Sequence, residues 1–198
     1  MSIHNTAIVE KNVEIGSGVS IGEYSVIYSG TIIKDNVKIG SHCSIGTYPE
    51  IIDNKKNSKL IINENTTINS FVSINLGTKT NTEIGKSCYI MNHSYIAHDC
   101  LIGDGSTIAS GAKISGTVHV GKEVYLGTNS SVHQNSNLDD LCLLGSNSFA
   151  KGNLLKGLIY VGVPAVPKKI NIVGIERSKL DRDYLDRVFE EAKKSLIS

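Results

Sequence analysis

The sequence has no tryptophan, only three prolines and few aromatic residues of any kind, against 19 glycines. That combination is unusual for a helical enzyme and suits a chain that turns often. It also lacks a Lys/Arg-rich block: 20 basic and 19 acidic residues leave a formal charge of +1. No surface is expected to track phosphates, which argues against nucleic acid as a partner. No window approaches the roughly 20 apolar residues of a membrane span. The N-terminal stretch MSIHNTAIVEKNVEIG has neither the basic region nor the apolar run of a secretory signal, so a cytoplasmic location is expected. There is no C-x-x-C pair, so the four cysteines give no zinc or disulfide framework. A length of 198 residues allows one main body with a small appendage.

What is present is a repeat. An aliphatic residue recurs every six positions at Ile3, Val9, Ile15, Ile21, Ile27, Ile33, Ile39 and Ile45. The register resumes at Ile62, Ile68 and Ile74, then runs from Ile84 through Ile96, Ile114 and Val132 to Leu144. Four residues after the aliphatic position stands a compact side chain, as in Val37, Cys43, Ser94, Cys100 and Ala112. A period of six matches neither the 3.6 of a helix nor the 2.0 of a simple strand, but fits short strands joined by turns. Three hexads close a triangular coil of about 18 residues, and stacked coils let each aliphatic side chain bury against the next. The expectation is an all-β fold, a left-handed parallel β-helix of hexapeptide repeats, with a short C-terminal α-helix. Cys43, Cys88, Cys100 and Cys142 all fall on the small inward position, where a thiol packs as a compact hydrophobe.

Two interruptions, 47–61 and 76–82, are expected to leave the coil as excursions. The β-helix domain is placed at 1–160 and a C-terminal extension at 161–198, after Pro164 and Pro167 end strand stacking. Within the extension Leu180, Tyr184, Leu185, Val188, Phe189, Ala192 and Leu196 share a helical face. The spacing predicts a helix over 179–197, with Ser178 as N-cap and Asp181 its partner three residues on.

Of the six histidines, His4 and His42 read as solvated surface residues. His98 and His133 differ, because Gly116 falls one coil after His98 and His133 one coil after Ser115, so these residues should line one strip. Asp99, directly beside His98, can hold the ring for general-base work. A plain turn cap is the competing reading.

His98-Asp99-Cys100 with Gly116, Val132-His133-Gln134, and the late run Asn171-Ile172-Val173-Gly174-Ile175-Glu176-Arg177 resemble the UDP-N-acetylglucosamine acyltransferases, the hexapeptide-repeat enzymes that begin lipid A synthesis. The resemblance spans about residues 5 to 180 and keeps the spacing of these elements. It implies His98 as general base, Asp99 as its polarising partner and the Gly116 N–H as oxyanion donor, while the flat faces of a triangular prism predict a homotrimer with its site between prisms. It also implies His133, Gln134, Asn171 and Arg177 on the nucleotide-sugar side. The sequence departs from the family at Tyr95 and Asn75, which stand where the family carries histidines and are placed with the substrate-binding residues. The 76–82 loop is shorter and the C-terminal domain is reduced to one helix. Ser146 replaces a glycine lining the acyl groove, which implies a short acyl group. Gly162-Val163-Pro164-Ala165 resembles the segment that acetyl-CoA-dependent transferases place near the pantetheine. Acyl-CoA, with acetyl-CoA foremost, is the expected donor and acyl carrier protein the second; no metal is expected. The activity implied is N- or O-acylation of a nucleotide-linked amino sugar in surface polysaccharide or lipopolysaccharide biosynthesis.

Two other readings stand beside this one. The segment from His93 to His98 also resembles the paired-histidine segment of γ-class carbonic anhydrases, but position 75, one coil earlier, offers Asn where a third zinc ligand is needed. The last reading is a non-catalytic scaffold that only binds a partner.

Overall fold

The computed structural model describes residues 1–50 and 58–197. The aliphatic hexad positions form three sheets, of ten, eight and eight strands, parallel except for the last pair of the ten-stranded sheet, around one apolar column. Pairing follows the 18-residue period, with Ile3 beside Ile21, Ile96 beside Ile114 and Ile102 beside Val120. The molecule is the left-handed β-helix that the repeat predicts.

The aliphatic stack is dry. Ile27, Ile45, Ile62, Ile74, Ile96, Ile114 and Leu138 are fully buried, each covered by the residue one coil above and below. Removing such side chains from water stabilises by roughly 1.5–3 kcal/mol each. Ile3, in the first coil, has a neighbour on one side only and remains 38% exposed. All four cysteines are buried in the small inward position and free. Burial pushes the Cys88 thiol up to about 11 and the Cys100 thiol up to about 12, so both pack as neutral thiols.

Corners carry the turn chemistry. The residue three after the aliphatic position often takes positive φ, and Asn fills it at 12, 36, 65, 129, 135 and 147 because its short polar side chain tolerates the left-handed region. Four such positions at the corner between the first and second sheets carry rings instead. Tyr24, His42, Phe71 and His93 stack in succession with centroids 5.1, 4.9 and 4.9 Å apart. His42 is thus exposed but not an isolated solvated side chain.

Both interruptions leave from one corner. The first departs after the second-sheet strand Ser44–Thr47 and returns in the third-sheet strand Leu60–Ile62. The second departs after Ser73–Asn75 and returns in Thr82–Ile84, again from second sheet to third. Of the 47–61 excursion, residues 51–57 lie outside the described residues. The two insertions therefore sit at a single edge of the prism, where the sequence placed them only along the chain.

The C-terminal end is closed by its own chain. Strand Leu158–Gly162 extends the first sheet and turns back antiparallel through Ala165–Ile170. Helix α1 (Ile172–Arg177) is an element the hexad pattern did not predict; it is six residues long and contains Gly174. Helix α2 (Arg182–Ile197) starts three residues later than the helix expected over 179–197. Asp181, not Ser178, caps it: Asp181 Oδ1 accepts from the Tyr184 N–H at 3.1 Å. Ser178 instead closes α1, its N–H donating to the Ile175 carbonyl. Leu185 and Val188 of α2 pack on Leu141 and Ile175, and the Tyr184 hydroxyl donates to Asp140 at 2.6 Å. No helix among the described residues is long and apolar enough to cross a membrane.

Candidate active site

The second-to-third-sheet corner that carries the insertions also carries His98 and Gly116. His98 follows the strand Tyr95–Ile96, Gly116 follows Lys113–Ile114, and Gln134 follows Ser131–Val132 at the same step, so the three positions form one column. The Thr117 N–H donates to the His98 carbonyl at 2.9 Å and the Asn135 N–H to the Gly116 carbonyl at 3.2 Å, which ties successive corners together.

His98 Nδ1 lies 2.8 Å from Asp99 Oδ2. An ionised carboxylate only accepts, so Nδ1 carries the proton and the Nε2 lone pair of the neutral ring is free. The His98 side chain is 21% exposed and that of Asp99 only 6%: the imidazole meets solvent and the carboxylate sits behind it. Asp99 takes φ 58° at its turn, a conformation Asp adopts more readily than most residues. Burial by itself would raise the Asp99 carboxyl. The hydrogen bonds from the Thr78 hydroxyl, His98 and the amides of Thr78 and Thr80 outweigh it and hold the carboxyl well below the usual carboxylate range.

Gly116 stands against the ring. A Cβ there would lie 2.5 Å from both Cε1 and Nε2 of His98, so only glycine leaves the imidazole where it is. The Gly116 N–H donates to no carbonyl among the described residues. One coil on, His133 Nδ1 donates to the Gln134 carbonyl at 3.0 Å, leaving its Nε2 as an acceptor, and its ring meets Phe149 edge-on at 6.0 Å.

Asn75 and Tyr95 are bonded to each other. Asn75 is buried; its amide donates to Thr47 Oγ1 at 2.6 Å and its oxygen accepts from the Tyr95 hydroxyl at 2.7 Å. Burial, with the charge of Glu50, pushes the Tyr95 phenol up to about 12. Within the chain their polar atoms hold the departure of the first excursion, at Thr47 and Tyr48, to the prism. Asn171 lines the first-sheet groove and is also bonded within the chain. Its Oδ1 accepts from the Gly174 N–H as N-cap of α1, and its Nδ2 donates to the Leu141 carbonyl at 2.8 Å. It is a structural pin for the segment that carries Arg177.

Arg177 lies elsewhere on the chain. It borders a groove of about 790 Å³ over the outward side chains Tyr125, Leu143 and Ile159 of the first sheet. It also borders a hollow of about 580 Å³ with Lys122 and Lys179 at the corner between the third and first sheets. His98 and Arg177 are thus separated by the third sheet within one chain. Ser146 is exposed at the opposite edge of the first sheet, in the turn after Leu143–Leu144. His93 stands at the first-to-second-sheet corner against Phe71, away from the His98 corner. Among the described residues no group of three His, Cys, Asp or Glu side chains is placed to hold a metal.

The residues that sequence reasoning missed are Thr78 and Thr80, the donors around Asp99. The hydroxyl-rich run Gly77-Thr78-Lys79-Thr80 was visible, but nothing in its spacing showed that it leaves the prism at the corner of His98.

The family described as bacterial transferase hexapeptide (six repeats) matches residues 81–116, the span that holds both His98 and Gly116. No curated protein matches the chain by sequence. Solved structures are similar over nearly its whole length. LpxA from Acinetobacter baumannii is 27% identical with a TM-score of 0.85, over 94% of this chain and 81% of that one. UDP-N-acetylglucosamine acyltransferase from Campylobacter jejuni is also 27% identical, with a TM-score of 0.81 and the same coverage of 94% and 81%. UDP-N-acetylglucosamine O-acyltransferase from Moraxella catarrhalis is 29% identical, with a TM-score of 0.70, over 94% and 81%. Repeat, fold and these likenesses together support a hexapeptide-repeat β-helix acyltransferase.

Proposed function

We propose that the protein transfers a short acyl group from a CoA thioester to an amine or hydroxyl of a nucleotide-linked amino sugar, a cytoplasmic step in building a surface polysaccharide or lipopolysaccharide. The observation that carries this is the His98–Asp99 pair with Gly116 seated against the imidazole. Asp99 fixes the ring and keeps Nδ1 protonated. Nε2 takes the proton from the acceptor as its nitrogen or oxygen attacks the thioester carbonyl. The oxyanion that forms accepts from the Gly116 N–H. Collapse breaks the C–S bond, and the departing thiolate takes the proton back from Nε2.

The sugar nucleotide is assigned from the similar structures, whose own substrate is named as UDP-N-acetylglucosamine. Arg177, exposed at the end of α1, suits its diphosphate, and His133 and Gln134 face the sugar. Because His98 and Arg177 lie on different corners of one prism, the full site needs a second copy, and a homotrimer with the groove between prisms supplies it. In that groove Tyr125 and Leu143 line the acyl path and Ser146 limits its length. The tip of the terminal hairpin, where Val163 is 73% exposed, offers an apolar edge to a pantetheine arm.

Acyl carrier protein is the second candidate donor, favoured by the cations Lys122, Arg177 and Lys179 around one hollow. The deciding experiment incubates the protein with a panel of nucleotide-linked sugars and either acetyl-CoA or acetyl carrier protein. Acylated sugar nucleotide with free CoA is the expected product; turnover with the carrier protein alone reverses the donor assignment, and none with either removes the reading.

A further inference from the structure

We propose that the loop from Gly77 to Asn81 is a latch on Asp99, and that Thr78 is a positioning residue acting through Asp99 on His98. This rests on the reading of His98 as the general base. The turn from Ile74 to Ile96 is four residues longer than the turn from Ile96 to Ile114, so the repeat itself does not require the loop. The extra residues fold onto one side chain. Asp99 Oδ1 accepts from the amides of Thr78 at 2.7 Å, Lys79 at 3.0 Å and Thr80 at 3.0 Å, and from the Thr80 hydroxyl at 3.4 Å. Asp99 Oδ2 accepts from the Thr78 hydroxyl at 2.5 Å and from His98 Nδ1 at 2.8 Å. Thr78 is thus the residue that grips both oxygens, and its hydroxyl fixes the oxygen that holds the imidazole.

The loop is itself seated. The Ser58 N–H donates to the Gly77 carbonyl at 2.8 Å, the Lys59 N–H to Asn81 Oδ1 at 3.1 Å and the Thr82 N–H to the Lys59 carbonyl at 3.0 Å. Thr82 Oγ1 accepts from the Asp99 N–H at 2.9 Å. A Cβ on Gly77 would collide with the Thr80 carbonyl, so glycine is what lets the loop turn so tightly. The return limb of the long excursion supports the short loop, the loop holds the carboxylate, and the carboxylate sets the imidazole. Both departures from the hexad rhythm therefore converge on the orientation of one ring. Without the hydroxyl, Oδ2 keeps only its bond with His98 and is held less firmly in place, so the neutral ring can more readily place its proton on Nε2, where it no longer serves as base.

The test compares Thr78→Val, which keeps the amides and the shape, with Thr78→Ser, which keeps the hydroxyl. Steady-state kinetics and ¹⁵N NMR of labelled histidine are read for each. Thr78→Val is expected to lower kcat about tenfold with KM little changed, the loss of one charge-assisted hydrogen bond to the base's partner. In its spectrum an Nε2–H tautomer of His98 should emerge, while Thr78→Ser restores both kcat and the Nδ1–H tautomer. Wild-type kcat and tautomer in Thr78→Val would overturn the proposal. So would equal defects in the Ser and Val variants, since the hydroxyl would then be irrelevant. If the wild-type protein acylates no sugar nucleotide, the functional reading fails separately, and the tautomer readout still decides the latch.

Discussion

Gly116 and His98 are in contact through the missing side chain of the glycine: a Cβ at 116 would stand 2.5 Å from Nε2 of the imidazole one coil away. The same residue that leaves room for the ring has an N–H that donates to no carbonyl among the described residues. Gly116→Ala should therefore displace His98 with little effect on the fold, because Gly116 is only half-buried and its φ is not positive. A fall in kcat of about 10² is expected, with a melting temperature within a few degrees of wild type. A crystal structure of the variant with the ring unmoved would refute the steric argument.

His98→Ala removes the base and leaves the aliphatic column alone. Turnover should drop by about 10² to 10⁴, with nucleotide-sugar binding and oligomeric state preserved. Asp99→Asn should cost less, since the imidazole remains. Near-normal turnover in His98→Ala would hand catalysis to proximity and the Gly116 N–H alone.

Asp99 also makes a pH prediction. Its folded carboxyl lies below the ordinary range, so the carboxylate and its donors contribute stability that is fully present above the unfolded value of about 3.9. That contribution is lost as pH falls toward the depressed folded value. Asp99→Asn should be less stable near neutral pH by about 2 kcal/mol and should lose less stability than wild type on acidification below about pH 4. Urea unfolding at a series of pH values measures both. Parallel curves would mean the loop does not hold the ionised form.

A site shared between copies can be checked by mixing. Sedimentation should first show about 64 kDa, three times the 21.3 kDa chain. Trimers of His98→Ala and of Arg177→Ala, each nearly inactive, should regain about a quarter of wild-type activity when unfolded and refolded together, because some interfaces then pair an intact His98 with an intact Arg177. No recovery would place both residues in one chain's site.

Ser146→Gly should extend the acyl group accepted without altering the chemistry, since Ser146 borders the first-sheet face on which Tyr125 and Leu143 line the groove. Comparing acetyl with longer acyl thioesters reads this directly. An unchanged preference would remove Ser146 from the acyl path.

The sequence alone determined the prism. A six-residue period with an aliphatic residue at each repeat has one economical burial, a stacked column, and period arithmetic then places His98, Gly116, Ser115 and His133 in one strip. It also showed where the rhythm fails. What it could not show was the corner at which each failure leaves, because that depends on which of three equivalent sheets precedes it, and hexads look alike in one dimension. Tertiary structure alone decided that both insertions meet at His98 and that Thr78 grips Asp99. It likewise turned Asn75 and Asn171 inward, where a buried amide must find partners in its own chain before it can serve a ligand. The short α1 was hidden for a related reason: six residues with a glycine inside carry little helical preference, and the Asn171 cap and the packing of Ile175 on Leu141 are what hold it.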